Sequence, residues 1–529
     1  MSTSRRARLG LAGLAATAVT TVVTGGVAHA AGPDWGFTPI TGNALACFDS
    51  AGAAVNVGDP IFAPALSAAK LMSAGDAATQ VVGGAATTIG RENDMITLSP
   101  DGKYLYAVSE NGAPSDGVSR FTLTGPGAGT KEILTPGPTP GTLATPSWSR
   151  MDGAFWYTPS GIILGSEEYS SGAASVNAQA RGGGIWQINP TTGAFSRLDW
   201  LGSMAHEGVA WEGGALWFGD ENRTGAIFKA VPTNPNDLTL GGSLYYLVGS
   251  GIDASGYKLV VTPDNAIVEA INGGAILFDR PEDFDSRNGR VYFTVTEPQA
   301  DSDTRKGTFG GVGNAANQVV NRGGVYSVNA TGFPDLATQS GSTGPYNKIT
   351  PMIEVQDPKY TTLAGAQSQQ GLQFPDNIAF DGRGHLWVHE DIPDSSAPFT
   401  LPASGIDVSK QVRNQQDELW VYELNATGDA IIPVVGSPSL GAKAADMQSS
   451  RAGAGEPCAN EFTGGVFAAD GTTFYINQQH LQNPTFRVTN LAPPVNVPES
   501  PLVPILGVSG VVVLGGAMVL AQRRRSSIS

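Results

Sequence analysis

The chain has 529 residues, 41% of them hydrophobic, enough for one large core or two smaller ones. Its 69 glycines and 35 prolines suit a turn-rich all-β chain. A net charge of −16 argues against a nucleic-acid partner, whose phosphates need a basic surface; it fits bound divalent cations, or simply an acidic soluble exterior.

The first thirty residues have the pattern of an export signal. Arg5, Arg6 and Arg8 precede a mild apolar run from Leu9 to Val23, and Ala28-His29-Ala30 offers a small-x-small cleavage site. Ser4-Arg5-Arg6 is a partial twin-arginine match, so both export routes stay open. Residues 31–90 are weakly patterned and read as a lead-in segment that supplies an outer strand or covers one end.

Residues 91–488 contain one unit repeated about six times. In Arg280 to Glu297, Asn288-Gly289 is a two-residue turn signal between a run opened by Phe284 and the alternating Val291, Phe293 and Val295. Like hairpins are predicted over residues 94–110, 152–168, 206–221, 375–391 and 461–480. Single hairpins cannot bury both faces, so the repeats predict an all-β fold, a six-bladed β-propeller with surface loop insertions. The segments from Gly125 to Thr145, Asp301 to Asn321 and Gly341 to Tyr346 are the insertions, and Gly405 to Glu418 has room for a helical turn.

The hairpins carry acids at their open ends: Glu167 and Glu168, Glu207, Asp220 and Glu221, Glu282 and Asp283, Glu297, Asp376, Glu390 and Asp391, and Glu461. Taken singly, such residues are turn formers and solvated rims. Repeated at one edge of every blade they converge on a channel, where hard oxygen ligands suit calcium. Arg280 stands two residues before Glu282, on the same strand face, as an ion-pair partner or a phosphate clamp. His480 reads as a general acid, a metal ligand or a hydrogen-bonded edge residue. No GxSxG, HExxH or glycine-rich phosphate loop is present.

Of the two cysteines, Cys47 lies before the first repeat and Cys458 just before the last, and an exported pair predicts a disulfide that ties the ends of the ring. Residues 489–502 are a proline-rich stalk. Residues 503–521 are uncharged and long enough to span a bilayer, and Arg523 to Arg525 in the tail, residues 522–529, place that end in the cytoplasm. This predicts a protein anchored by its C-terminal helix and facing outward.

The stretches SEEY (Ser166 to Tyr169), HEGVA (His206 to Ala210), RPED (Arg280 to Asp283), PDNIAFDGRGHLWVHED (Pro375 to Asp391) and EFTGGVFAADGTTFYINQQH (Glu461 to His480) resemble the PhoX-type alkaline phosphatases. The resemblance implies a propeller holding calcium together with iron and hydrolysing phosphoesters, with a small phosphoester as partner; the chain is expected to act as a monomer. It implies metal ligands at Glu167, Glu168, Glu207, Glu282 and Glu461, with Asp220 or Glu221 completing the HEG unit and Arg280 touching phosphate. In that family a cysteine precedes the paired glutamates and bridges the irons; Ser166 stands there in this chain, which removes the soft ligand and puts iron in question. The alternative to an enzyme is a calcium-binding surface propeller that holds a ligand or partner. A third reading is a calcium-containing propeller that hydrolyses lactones or esters.

Overall fold

The computed structural model describes residues 37–40, 59–81, 86–90, 93–110, 117–135, 150–168, 183–221, 225–250, 253–278, 280–296, 308–309, 312–313, 319–320, 324–330, 350–354, 372, 375–391, 400–401, 406–407, 418–424, 441–446, 461–479 and 484–491. The chain divides into Met1–Asp34 and Trp35–Ser529, and all the described residues lie in the second unit. Cys47, Cys458, His480, Glu297 and the C-terminal apolar run lie outside them. Among the described residues no helix is long and apolar enough to cross a membrane.

The six predicted hairpins are the two inner strands of six blades. Their innermost strands are Asn93–Leu98, Met151–Tyr157, Val209–Glu212, Pro281–Arg287, Pro375–Phe380 and Phe462–Phe467. Each touches the next, and the sixth touches the first, so the ring is closed. This is a six-bladed β-propeller. The third blade is enlarged by the outer strand Asp253–Leu259 and by the helix Ala266–Gly273.

The N-terminal lead-in segment completes the last blades. Ser67–Met72 pairs with Thr485–Thr489 as the outer strand of blade six, and Ile61–Phe62 pairs with Gly441–Asp446 in blade five. Ring closure among the described residues is therefore made by backbone hydrogen bonds between distant parts of the chain.

Strand alternation explains the core. A blade has a neighbour on each face, so both faces of its middle strands must be apolar. In Ala215–Gly219, Leu216 and Phe218 pack toward blade two, while Ala215 and Trp217 pack toward blade four. In Arg290–Val295, Val291 and Phe293 face blade three, and Tyr292 faces blade five. Trp217, Tyr292, Phe218 and Phe293 are fully buried as a result. Each large side chain of this kind contributes about 1.5–3 kcal/mol of transfer free energy.

The turns behave as their residues require. Asn288 and Gly289 both take left-handed φ, 53° and 78°, the conformation a tight hairpin with the right twist needs. The blade-five turn has its left-handed residue at Gly384 rather than at Gly382, because Asp381 Oδ1 accepts the amides of Arg383 and His385.

Candidate metal and phosphate site

Five of the six innermost strands share an irregularity, and in four of them it falls at acids. In blade one, Asn93 pairs with Ser109 but Ile96 pairs with Ala107, so Asp94 and Met95 face a single residue. The same two-against-one step falls at Glu282-Asp283 in blade four, Asp376-Asn377 in blade five and Gly464-Gly465 in blade six. In blade two the extra residue is Asp152. A bulge of this kind breaks strict alternation and re-aims the bulged side chain.

Three groups of carboxylates result. Asp94, Asp152 and Glu207 offer oxygens within 4.8 Å of one another, as do Glu110, Asp152 and Glu168, and Glu207, Glu282 and Asp376. Asp152 belongs to two groups and Glu207 to two, so the groups form a chain joined by shared carboxylates. Asp94 Oδ1, Asp152 Oδ1 and Glu221 Oε2 are buried with no protein donor among the described residues.

Burial pushes the carboxyls of Asp94, Asp152, Glu168, Glu207, Glu282, Asp376 and Glu461 well above the usual carboxylate range, and repulsion among them adds to it. For Glu282 the Arg280 guanidinium pulls the other way without cancelling burial. A cluster of this charge is stable only if protonated or neutralised by cations.

Hydrogen bonds between blades fix this geometry. Asn377 Nδ2 donates to Glu207 Oε1 at 2.7 Å, and Asn377 Oδ1 accepts the Gly464 amide at 2.7 Å. Gln479 Nε2 donates to Asp94 Oδ2 at 2.5 Å and also to Glu110. The Thr294 hydroxyl donates to the Asp376 carbonyl, and the Ser166 hydroxyl to the Glu207 carbonyl. Ser166 thus fixes the backbone of a shared acid. Gly153 has no room for a side chain beside it: a Cβ there would lie 1.8 Å from Ser166 Oγ and 1.9 Å from the Glu207 carbonyl.

Arg280 Nε lies 2.8 Å from Glu282 Oε1, and its Nη2 donates to Glu221 Oε1 at 2.9 Å; Asp391 is 3.8 Å from Nη1. Arg150 Nη2 donates to Glu110 Oε2 at 2.7 Å and also pairs with Glu168. Of the other residues expected in the site, Glu167 Oε2 accepts from the Gly184 amide and Trp186 Nε1, and Asp220 Oδ1 accepts the Ala205 amide. Glu461 lies within electrostatic reach of Asp94, Asp376 and Asp391. His206 and His389 are held neutral by burial, their pKa pushed down to about 3, so neither is an imidazolium at neutral pH.

The sequence reading did not assign ligand roles to Asp94, Glu110, Asp152 and Asp376, nor any role to Arg150. The available signal was their position, since Asp94, Asp152 and Asp376 open their hairpins just as Glu207 and Glu282 do.

The sequence model of the alkaline phosphatase PhoX family matches residues 70–482. The chain belongs to the PhoX family. No curated protein matches it. Among solved structures it is similar to Pseudomonas fluorescens PhoX in complex with vanadate, a transition-state analogue, at 16% identity and a TM-score of 0.56, covering 86% of this chain and 98% of that one. It is more distantly similar to the PQQ domain of Coprinopsis cinerea pyranose dehydrogenase, at 10% identity and a TM-score of 0.42, covering 81% and 97%. A family AA12 carbohydrate-active enzyme of Trichoderma reesei matches at 14% identity and a TM-score of 0.38, covering 83% and 99%. At these identities the structural likenesses speak for the fold alone, and it is the family match that makes this PhoX chain phosphatase-like.

The residues fit one of the two metals that the family implies. Chained carboxylates with donor-free buried oxygens are the hard, anionic set that calcium takes. A thiolate-bridged iron pair is not matched, because Ser166 offers a hydroxyl already committed to the Glu207 carbonyl.

Proposed function

We propose that the chain is an exported, membrane-anchored, calcium-dependent phosphoester hydrolase. The observation that carries this reading is the chain of three carboxylate groups joined through Asp152 and Glu207, with Arg280 at one end. Export and anchorage rest on the N-terminal signal pattern and the C-terminal apolar run.

Bound calcium would polarise the phosphoryl oxygens and lower the pKa of a nearby water. The protein's part is to bind and orient. Glu221 and Glu282 hold the Arg280 guanidinium from two sides, leaving a planar cation suited to a phosphoryl oxygen pair. Asn377, Gln479, Thr294 and Ser166 hold the acids and their backbone in place, so little reorganisation is needed as charge develops.

A second reading, a calcium-binding propeller without catalysis, is favoured by Ser166 alone. Metal analysis of the purified protein, paired with hydrolysis of p-nitrophenyl phosphate, separates the two. Calcium with hydrolysis is the expected result; calcium without hydrolysis, even after iron is supplied, would establish the binding protein. Absence of bound calcium would overturn both.

A further inference from the structure

We propose that Arg150 is a second anion contact of the channel, and that the preferred substrate is a phosphomonoester whose leaving group carries another anionic group. This rests on the phosphoester reading above.

Arg150 repeats the arrangement of Arg280 on another blade. Each stands two residues before an acid of the innermost strand, Asp152 and Glu282. Each has left-handed φ, 50° and 56°, which is uncommon for a residue with a long side chain. Each guanidinium touches carboxylates from two neighbouring blades: Glu110 and Glu168 for Arg150, Glu221 and Glu282 for Arg280. The two arginines come from separate sides of the ring, blades one and two against blades three to five. They are linked through Glu168, which lies within electrostatic reach of Glu221.

A brace between blades would account for the ion pairs but not for the exposure. The Arg150 side chain is 51% exposed, against 22% for Arg280, while its partners Glu110 and Glu168 are 10% and 19% exposed. Its hydrogen bonds leave from Nε and Nη2; Nη1 makes none among the described residues. A cation held by Glu110, Asp152 and Glu168 would take up the charge that now faces the guanidinium. Arg150 then presents an always-charged fork at the open side of the channel. With Arg280 on the phosphoryl group, the second fork meets the far end of the substrate.

The test is calorimetric binding of non-hydrolysable probes to the calcium-loaded full chain: propylphosphonate against 3-phosphonopropionate, and butylphosphonate against 4-phosphonobutyrate. The members of each pair differ only by a terminal carboxylate. The carboxylate should tighten binding about tenfold in at least one pair, the size of one charge-assisted contact. Arg150→Gln should reduce that gain to about twofold or less, and Arg150→Lys should keep part of it. Equal binding of both members in each pair, or a gain that survives Arg150→Gln, overturns the proposal. Hydrolysis of p-nitrophenyl phosphate by the same preparation reports on the phosphoester reading separately. Hydrolysis without the gain leaves that reading and removes Arg150 from it. A gain through Arg150 without hydrolysis keeps the contact and removes the enzyme.

Discussion

Replacing Arg280 by alanine should lower phosphoester hydrolysis by about 10²–10³-fold, the loss typical of one preorganised charge-stabilising donor. Arg280 is the cation that Glu221, Glu282 and Asp391 surround, and it sits at the start of the bulged strand that carries Glu282. Arg280→Lys should recover little, because an ammonium cannot hold two carboxylates and a phosphoryl group in one plane. Removal of the guanidinium also leaves buried Glu221 and Glu282 without their counter-charge. Calcium content must therefore be measured in the same variants. Activity lost with calcium retained assigns the loss to phosphate contact. Unchanged hydrolysis in Arg280→Ala would remove this residue from the mechanism.

Stripping divalent cations should make the protein less stable at pH 8 than at pH 5. The sign follows from the buried carboxyls. Asp94, Asp152, Glu168, Glu207, Glu282, Asp376 and Glu461 are all raised in the folded chain, burial being the first cause. In the unfolded chain such groups ionise near pH 4. Above that pH the folded state holds more protons than the unfolded state, so stability falls as pH rises. Asp285, raised to about 6 by burial, contributes to the lower part of the same window. Calcium reverses the trend, because it binds the ionised groups and its affinity grows with pH. At a concentration about a hundred times Kd, each site adds about 2.7 kcal/mol. The gap in melting temperature between calcium and chelator should thus widen from pH 5 to pH 8. A chelated protein that melts at the same or a higher temperature at pH 8 would show that these carboxylates do not form one buried cluster.

The six hairpins were legible in the sequence because their causes are local. Asn288-Gly289 specifies a turn by its own backbone preferences, and Val291, Phe293 and Val295 mark one face by alternation. The convergence of Glu207, Glu282 and Glu461 is the expectation of the same pattern, since hairpin ends that recur at one edge must meet when the blades close; Glu207 and Glu282 share a carboxylate group, and Glu461 lies within electrostatic reach of Asp376. What only the tertiary structure decided depends on registers between strands. The bulges at Asp94, Glu282 and Asp376 arise from pairing, and no single strand encodes them. They bring Asp94, Asp152 and Asp376 into the carboxylate chain, while Glu167, next to Glu168 in sequence, turns to the Gly184 amide and Trp186. The outer strands of blades five and six come from residues 61–72, more than three hundred positions from their partners, a pairing that loop closure permits but that no local signal announces. The sharing of Asp152 and Glu207 between groups, and the hold of Ser166 on the Glu207 carbonyl, are likewise contacts between blades. Such contacts exist only once the ring has closed.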